Sequence, residues 1–323
     1  MFGFPAELFE SANVLRARAE GLRQSLRAAT ILLIDNVAQY YFAHHTGRDG
    51  HMDGPEQFPQ LAPPFPYAFY EYTLDPAMYD VKFTEAEYGR TRRLDQIGIL
   101  VQSFDAADVR GGSENVDGFL DERRSGAAAK WVLCAIIFAG HKADREIWGP
   151  SAMLILAVGD DGQASSDLRT RIWGIDDRLY GSLPDEQRIP VESISGYAFP
   201  ALLATSFLHC RNVRTEEHAP PAKLSKAHAR RHGQPLVRHK TLTIEPMKQI
   251  LRKQGQVESQ GLTKALHICR GHFKDYRKSG GLFGKHKGLF WWDMHARGAL
   301  EQEAVVKDYA IKLPESGGSL EHR

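Results

Sequence analysis

The residues best equipped for chemistry lie near the end of the chain, in LHICRGHFKDYRKSGGLFGKHKGLFWWDMHARG, residues 266–298. Cationic and titratable groups (His267, Arg270, His272, Lys274, Arg277, Lys285, His286, Lys287, His295, Arg297) alternate there with large aromatics and with Gly280, Gly281, Gly284 and Gly288. A strand that serves only as core needs no such mixture. Alternation over Leu266 to Tyr276 and Leu289 to Asp293 predicts the two strands of a hairpin, joined by a long, mobile basic loop at 277–288. On the first strand Arg270, His272 and Lys274 fall on one side at two-residue steps. Gly271, between the first two, permits close approach of backbone or ligand.

Three chemistries fit these residues. The first is binding alone: Lys274, Arg277, Lys285 and Lys287 track a phosphate backbone while an exposed aromatic stacks on bases, at roughly 1–3 kcal/mol per base. Trp291 and Trp292 point to opposite faces, so one belongs to the core and the other, Trp292, is the expected stacking residue. The second is metal-independent ribonuclease chemistry. His272 is then the base, His295 or Tyr276 the acid, and Arg270, Lys274 and Arg297 hold the developing phosphate charge. The third is zinc at Cys269, His272, His286 and His295. A single Cys-x-x-His without a matched second pair is a poor zinc signature, so neither metal nor cofactor is expected. Histidines on a half-buried strand are equally well explained as simple hydrogen-bonding groups. A charged, aromatic hairpin also suits a hot spot for a host protein, a reading of a different class.

The elements that must carry this hairpin lie upstream. Residues 211–240, RNVRTEEHAPPAKLSKAHARRHGQPLVRHK, have almost no large apolar residues and several prolines. Such a segment buries too little surface to fold alone, which predicts a basic arm, extended over the scaffold or flexible. Lys223, Lys226, Arg230, Arg231 and Arg238 would contact phosphates without reading sequence. A short strand, VRHKTLTIE, then returns to folded structure. Residues 241–313 form the expected basic hairpin module, and 314–323 a disordered tail.

Residues 1–210 read as the scaffold. Leu8, Phe9, Ala12, Leu15, Ala19, Leu22 and Leu26 form one helical stripe, predicting a helix over 5–28 with Pro5 at its start. Ile31 to Phe42 continues that helix or folds back on it. Residues 46–66 are a Gly/Pro-rich loop. LAPPFPYAFYEYTL forces an extended segment leading into a strand at Tyr67 to Leu74 that carries Glu71, which faces water, pairs with a basic residue or does catalysis. Further strands are predicted at Gln96–Phe104, Lys130–Ala139, Met153–Val158 and Arg169–Trp173. An apolar helix over 192–210 is kinked or started at Pro200. Closely spaced strands without helical pattern between them favour an α+β fold, an antiparallel sheet packed by helices, with the basic C-terminal β-hairpin module attached.

Composition narrows the class. With 42% hydrophobic and 25% charged residues in 323, the chain can bury a real core. No apolar run approaches the roughly 18 residues of a membrane span. The start, MFGFPAELFE, lacks a basic segment ahead of an apolar one, so no secretory signal is read and a cytoplasmic location is expected. Three scattered cysteines (Cys134, Cys210, Cys269) make no disulfide framework. The net charge of +1 hides a polarity: Arg211 to Arg297 hold 19 Lys and Arg against 6 Asp and Glu, a local +13 against −12 elsewhere. An acidic scaffold carrying a basic binding face would look like this.

The order of PPFPYAFYEY, then RNV after an apolar helix, then PPAKLSKAHARRHGQPLVRHKTLTI, then a late RGH…W…RG block resembles a diverse group of uncharacterised proteins of phages, prophages and other mobile elements. Glu71 and Tyr72, Ala229 to Pro235, Arg270 to His272 and Trp291 or Trp292 occupy the matching places. Two departures stand out: ARRHGQP replaces a tighter ARRGKPP, and Cys269 stands where a second Arg is common. The resemblance implies a mobile-element origin and no particular mechanism. The expectation is therefore a nucleic-acid-binding protein of that setting, for RNA or single-stranded DNA, with ribonuclease activity an open extension.

Overall fold

The computed structural model describes residues 9–45, 52–74, 82–85, 90–93, 96–109, 129–140, 149–175, 194–244, 267–269, 271–278, 280–282, 284–292 and 295–297. In chain order its elements are α1 (Ala12–Ala28), β1 (Thr30–Leu33), α2 (Asp35–His44), β2 (Tyr67–Thr73), β3 (Lys82–Glu85), β4 (Arg90–Arg93), β5 (Gln96–Asp105), the short α3 (Ala106–Val109), β6 (Ala129–Gly140), β7 (Gly149–Gly159) and β8 (Ala164–Ile172). They continue with α4 (Phe199–Leu208), β9 (Val213–His218), α5 (Ala222–His232), β10 (His239–Ile244), β11 (His267–Cys269), β12 (His272–Asp275), β13 (Leu289–Trp292) and β14 (His295–Arg297).

Eight strands make one sheet in the order β8-β7-β6-β5-β2-β1-β10-β9. The fold is α+β, with a mostly antiparallel sheet packed by helices. From β2 outward to β8 every pairing is antiparallel, as the closely spaced strands predict. The exceptions are the pairings of β1, which runs parallel to β2 on one side and to β10 on the other. The predicted helical segment Ile31–Phe42 is therefore a strand followed at once by a helix, which makes β1, α2 and β2 a crossover unit.

Both faces of the sheet are buried at its centre. Leu133, Ala135 and Ile137 of β6 and Leu154, Leu156 and Val158 of β7 point to the side covered by α2 and α4. The alternate residues Val132, Cys134, Ile136, Met153 and Ile155 point to the α1 side. Helix α1 opens on Ser11, whose Oγ accepts from Val14 N. It lays Leu22 against the sheet, with Leu15, Ala19 and Leu26 half-buried beside it. Polar contacts fix its position: Gln102 Nε2 donates to Ser25 Oγ at 2.8 Å, and Arg18 pairs with Glu10 at 2.9 Å. Helix α4, with Pro200 in its first turn, is buried from Phe199 to Phe207. Tyr70 and Tyr72 of β2 tie the sheet to this layer, the first through Thr205 Oγ1 and the second by donating to Tyr197 O. Among the described residues no helix is long and apolar enough to cross a membrane.

The stretch 211–240 is not an extended arm. It folds as strand, helix and strand, and β9 and β10 pair over His218–Val213 and His239–Ile244 to complete the sheet edge. The predicted boundary at residue 210 thus falls inside the sheet's own connectivity. The tail 314–323 and the start of the predicted first helix lie outside the described residues.

Candidate nucleic-acid interface

The C-terminal hairpin is seated on the scaffold through one of its faces. Strands β12 and β13 pair with His272 opposite Trp292 and Asp275 opposite Leu289. β11 and β14 pair in the same register beyond the break, with Cys269 opposite His295. The inward face of β12–β13 carries Phe273, Leu289 and Trp291, which join the main core. The Trp291 ring sits 4.8 Å from Phe207, 4.7 Å from Phe273 and 5.1 Å from Tyr40. Its backbone is held by the buried Asn212: Nδ2 donates to Trp291 O at 2.8 Å, and Trp291 N donates to Oδ1 at 2.9 Å. Arg211 N donates to Leu289 O at 2.9 Å, and Tyr40 Oη donates to Gly271 O at 3.1 Å. Gly271 is there because of Trp291: a Cβ at that position would stand 2.5 Å from Trp291 Cζ2.

The outward face differs from the expectation. Trp292 does point away from the core, yet it is only 7% exposed. It clusters with Phe290, Tyr276 and Leu282, and Lys274 Nζ lies over its ring at 4.1 Å. Trp292 is therefore no open stacking platform, because its aromatic face is already occupied by a cation. The segment expected as a long mobile loop folds back on itself. Leu282 N donates to His286 O at 3.0 Å, His286 N donates to Leu282 O at 3.1 Å, and Gly284 turns at φ +69°. This turn leaves Lys285 and Lys287 exposed. Arg277 is not free to hold a phosphate: its Nε and Nη2 grip both Asp275 oxygens at 2.7–3.0 Å. That contact holds the Asp275 carboxyl below the usual carboxylate range and raises Arg277 above its own.

Of the five residues of the expected ribonuclease constellation, His272 and Tyr276 lie among the described side chains. Arg270 lies outside them. His295 and Arg297 are described by backbone only, opposite Cys269 and His267. Tyr276 packs on Phe290, and burial pushes its phenol above the ordinary value, so it is a weaker acid. His272 is half-buried on β12, beside Lys274. No group of three or more His, Cys, Asp or Glu among the described residues is placed to hold a metal ion. Glu71, half-buried on β2, has a second carboxylate, Asp35, as its charged influence rather than a basic residue. Burial first, and Asp35 second, push its pKa up. Asp35 itself accepts from Thr73 N at 2.8 Å, so it braces the end of β2.

Among the described residues, the largest unshielded basic element is α5. None of its eleven residues is buried. Lys223, Lys226 and Arg230 recur at i, i+3 and i+7, which makes one stripe, and Arg231 follows. The helix forms by local means. Three alanines favour it, Arg230, Arg231 and His232 suit the negative end of its dipole, and Gly233 closes it in the left-handed region at φ +76°. Gly233 N donates to Ala229 O at 2.9 Å, and the His228 Nδ1–H donates to Gln234 O at 2.8 Å. Arg238, the fifth expected contact, forms an exposed pair with Glu217 at 3.3 Å. Asn212 and Tyr40, which seat the hairpin, were not among the expected site residues. Only the RNV tripeptide hinted at the first. Comparison with protein-family models, with curated proteins and with solved structures finds no match to this chain.

Proposed function

We propose that this protein binds nucleic acid through α5, the basic helix carried at the sheet edge between β9 and β10. One observation carries the reading: a helix that buries nothing presents four cations, and no acidic residue occurs from 219 to 238. A helix kept off the core gains no stability from packing, so its sequence is free to serve a partner. Unneutralised charge of one sign suits a polyanion. The exposed Lys285 and Lys287 of the hairpin turn add a second basic patch. The mobile-element setting implied by the motifs is compatible with this role. Cleavage is not part of the proposal.

A protein partner is the competing reading, favoured by two apolar side chains on the same unit, Leu224 at 58% and Val237 at 65% exposure. Salt separates the two. Fluorescence anisotropy with labelled nucleic acid, at about 50 mM and about 200 mM salt, should show binding that weakens steeply. A variant with Lys223, Lys226, Arg230 and Arg231 all changed to Ala should lose it. Absence of binding at the lower salt would overturn the proposal.

A further inference from the structure

Resting on that reading, we infer that the ligand is a B-form DNA duplex, with α5 seated in its major groove, rather than a single strand or an RNA duplex. Two independent observations lead there. The first concerns the aromatics. Single strands are held mainly by bases stacking on open ring faces. Here Trp291 is sandwiched in the core, Trp292 and Phe290 are buried, and Phe273 and Tyr276 pack against them. Trp291 and Phe273 are engaged in holding the hairpin to the scaffold, and Trp292, Phe290 and Tyr276 pack on one another on its outer face.

The second concerns the shape and mounting of α5. Eleven residues give a rod about 16 Å long and about 10–12 Å across, and Ala222, Ser225, Ala227 and Ala229 keep it slim. The major groove of B-DNA is about 12 Å wide and about 8.5 Å deep, which accepts such a rod. The major groove of A-form RNA is deep and narrow and does not. The helix is also held at both ends. It leaves β9 through Pro220 and Pro221 and returns to β10 after Gly233, while β9 and β10 stay paired through six positions. Tethering at both ends narrows the directions it can take before a ligand arrives, which lowers the ordering cost of binding. Lys223, Lys226 and Arg230 then reach phosphates or base edges along one side.

The test compares four ligands of one sequence by anisotropy: duplex DNA, single-stranded DNA, duplex RNA and single-stranded RNA. Duplex DNA should bind at least about tenfold more tightly than the others. The variant with Lys223, Lys226, Arg230 and Arg231 changed to Ala should lose its binding of duplex DNA. Its substitutions are all at exposed positions, and an unchanged thermal melt would confirm that the fold survives. Protection of guanine N7 from dimethyl sulfate by the wild-type protein would locate it in the major groove. Equal or tighter binding of a single strand or an RNA duplex would overturn this inference and leave nucleic-acid binding standing. Failure of all four ligands to bind would overturn both.

Discussion

Asn212 holds Trp291 by its backbone, with one side chain both donating to the carbonyl and accepting from the amide, 79 residues apart in sequence. Asn212 is 1% exposed, so neither partner has water to turn to. This one amide fastens the C-terminal hairpin to the end of α4. Asn212→Ala should cost about 2–4 kcal/mol, since two buried backbone groups lose their partners. Urea unfolding followed by tryptophan fluorescence measures it. A loss below about 0.5 kcal/mol would show that the clamp is dispensable.

Gly271→Ala should destabilise by about 1–3 kcal/mol through overpacking against the Trp291 indole. Near-ultraviolet circular dichroism should change with it, because the Trp291 ring would have to shift. An unchanged tryptophan signal together with unchanged stability would contradict the packing described.

Glu71 supplies a pH-dependent prediction. Its folded pKa is raised above the ordinary 4.5 by burial and by Asp35. The folded state therefore binds this proton more tightly than the unfolded chain. Its stability contribution is full below the ordinary value and is lost as pH rises through the raised one. Glu71→Gln should thus be more stable than wild type at neutral pH, and the advantage should shrink as pH falls toward 4.5. Thermal melts of both proteins across that range would show it. A constant difference at all pH values would refute the linkage.

Cys134 and Cys210 are buried, and burial pushes both thiols up to about 12. Neither should react with a thiol reagent near pH 8 in the folded protein, because the nucleophile is the thiolate. Reaction should begin only when denaturant opens the core. Peptide mapping after a native-state pulse, with modification at either position, would count against it.

Each cation of α5 that contacts a phosphate releases counterions on binding. Lys226→Ala should therefore lower the steepness of the logarithmic salt dependence by about 1. Lys274→Ala should leave it nearly unchanged, since that ammonium already lies over Trp292. The reverse ranking would move the contact from α5 to the hairpin.

β5, β6 and β7 were legible because they are β-branched or apolar runs bounded by turn residues, whereas the polar first half of β8 (Ala164–Ile172) reads as part of a turn. β1 was not. Thr30–Leu33 passes directly into α2 through Ile34, which offers no capping side chain, so no boundary separates strand from helix. β9 was hidden by its own exposure: five of its six residues face water, and only pairing with β10 makes it a strand. The low apolar content of 211–240 correctly indicated that α5 buries nothing. It did not exclude a helix stabilised by alanines and a glycine cap. Alternation placed Trp291 inward and Trp292 outward. It could not reveal that Leu282, Tyr276 and Lys274 would cover the outward ring, because that depends on how the turn at 282–286 folds back.

The place of β1 also sets a timetable for synthesis. β1 is among the first strands to be made, and β2 can pair with it early, but its other edge waits for β10, some 170 residues later than β2. At about 5–20 residues per second that edge stays open for roughly 10–35 s on the ribosome. During that interval an unpaired, apolar strand edge is available to any neighbouring chain. The basic edge closes that opening, and truncation anywhere before residue 239 should leave the β1 edge permanently unpaired.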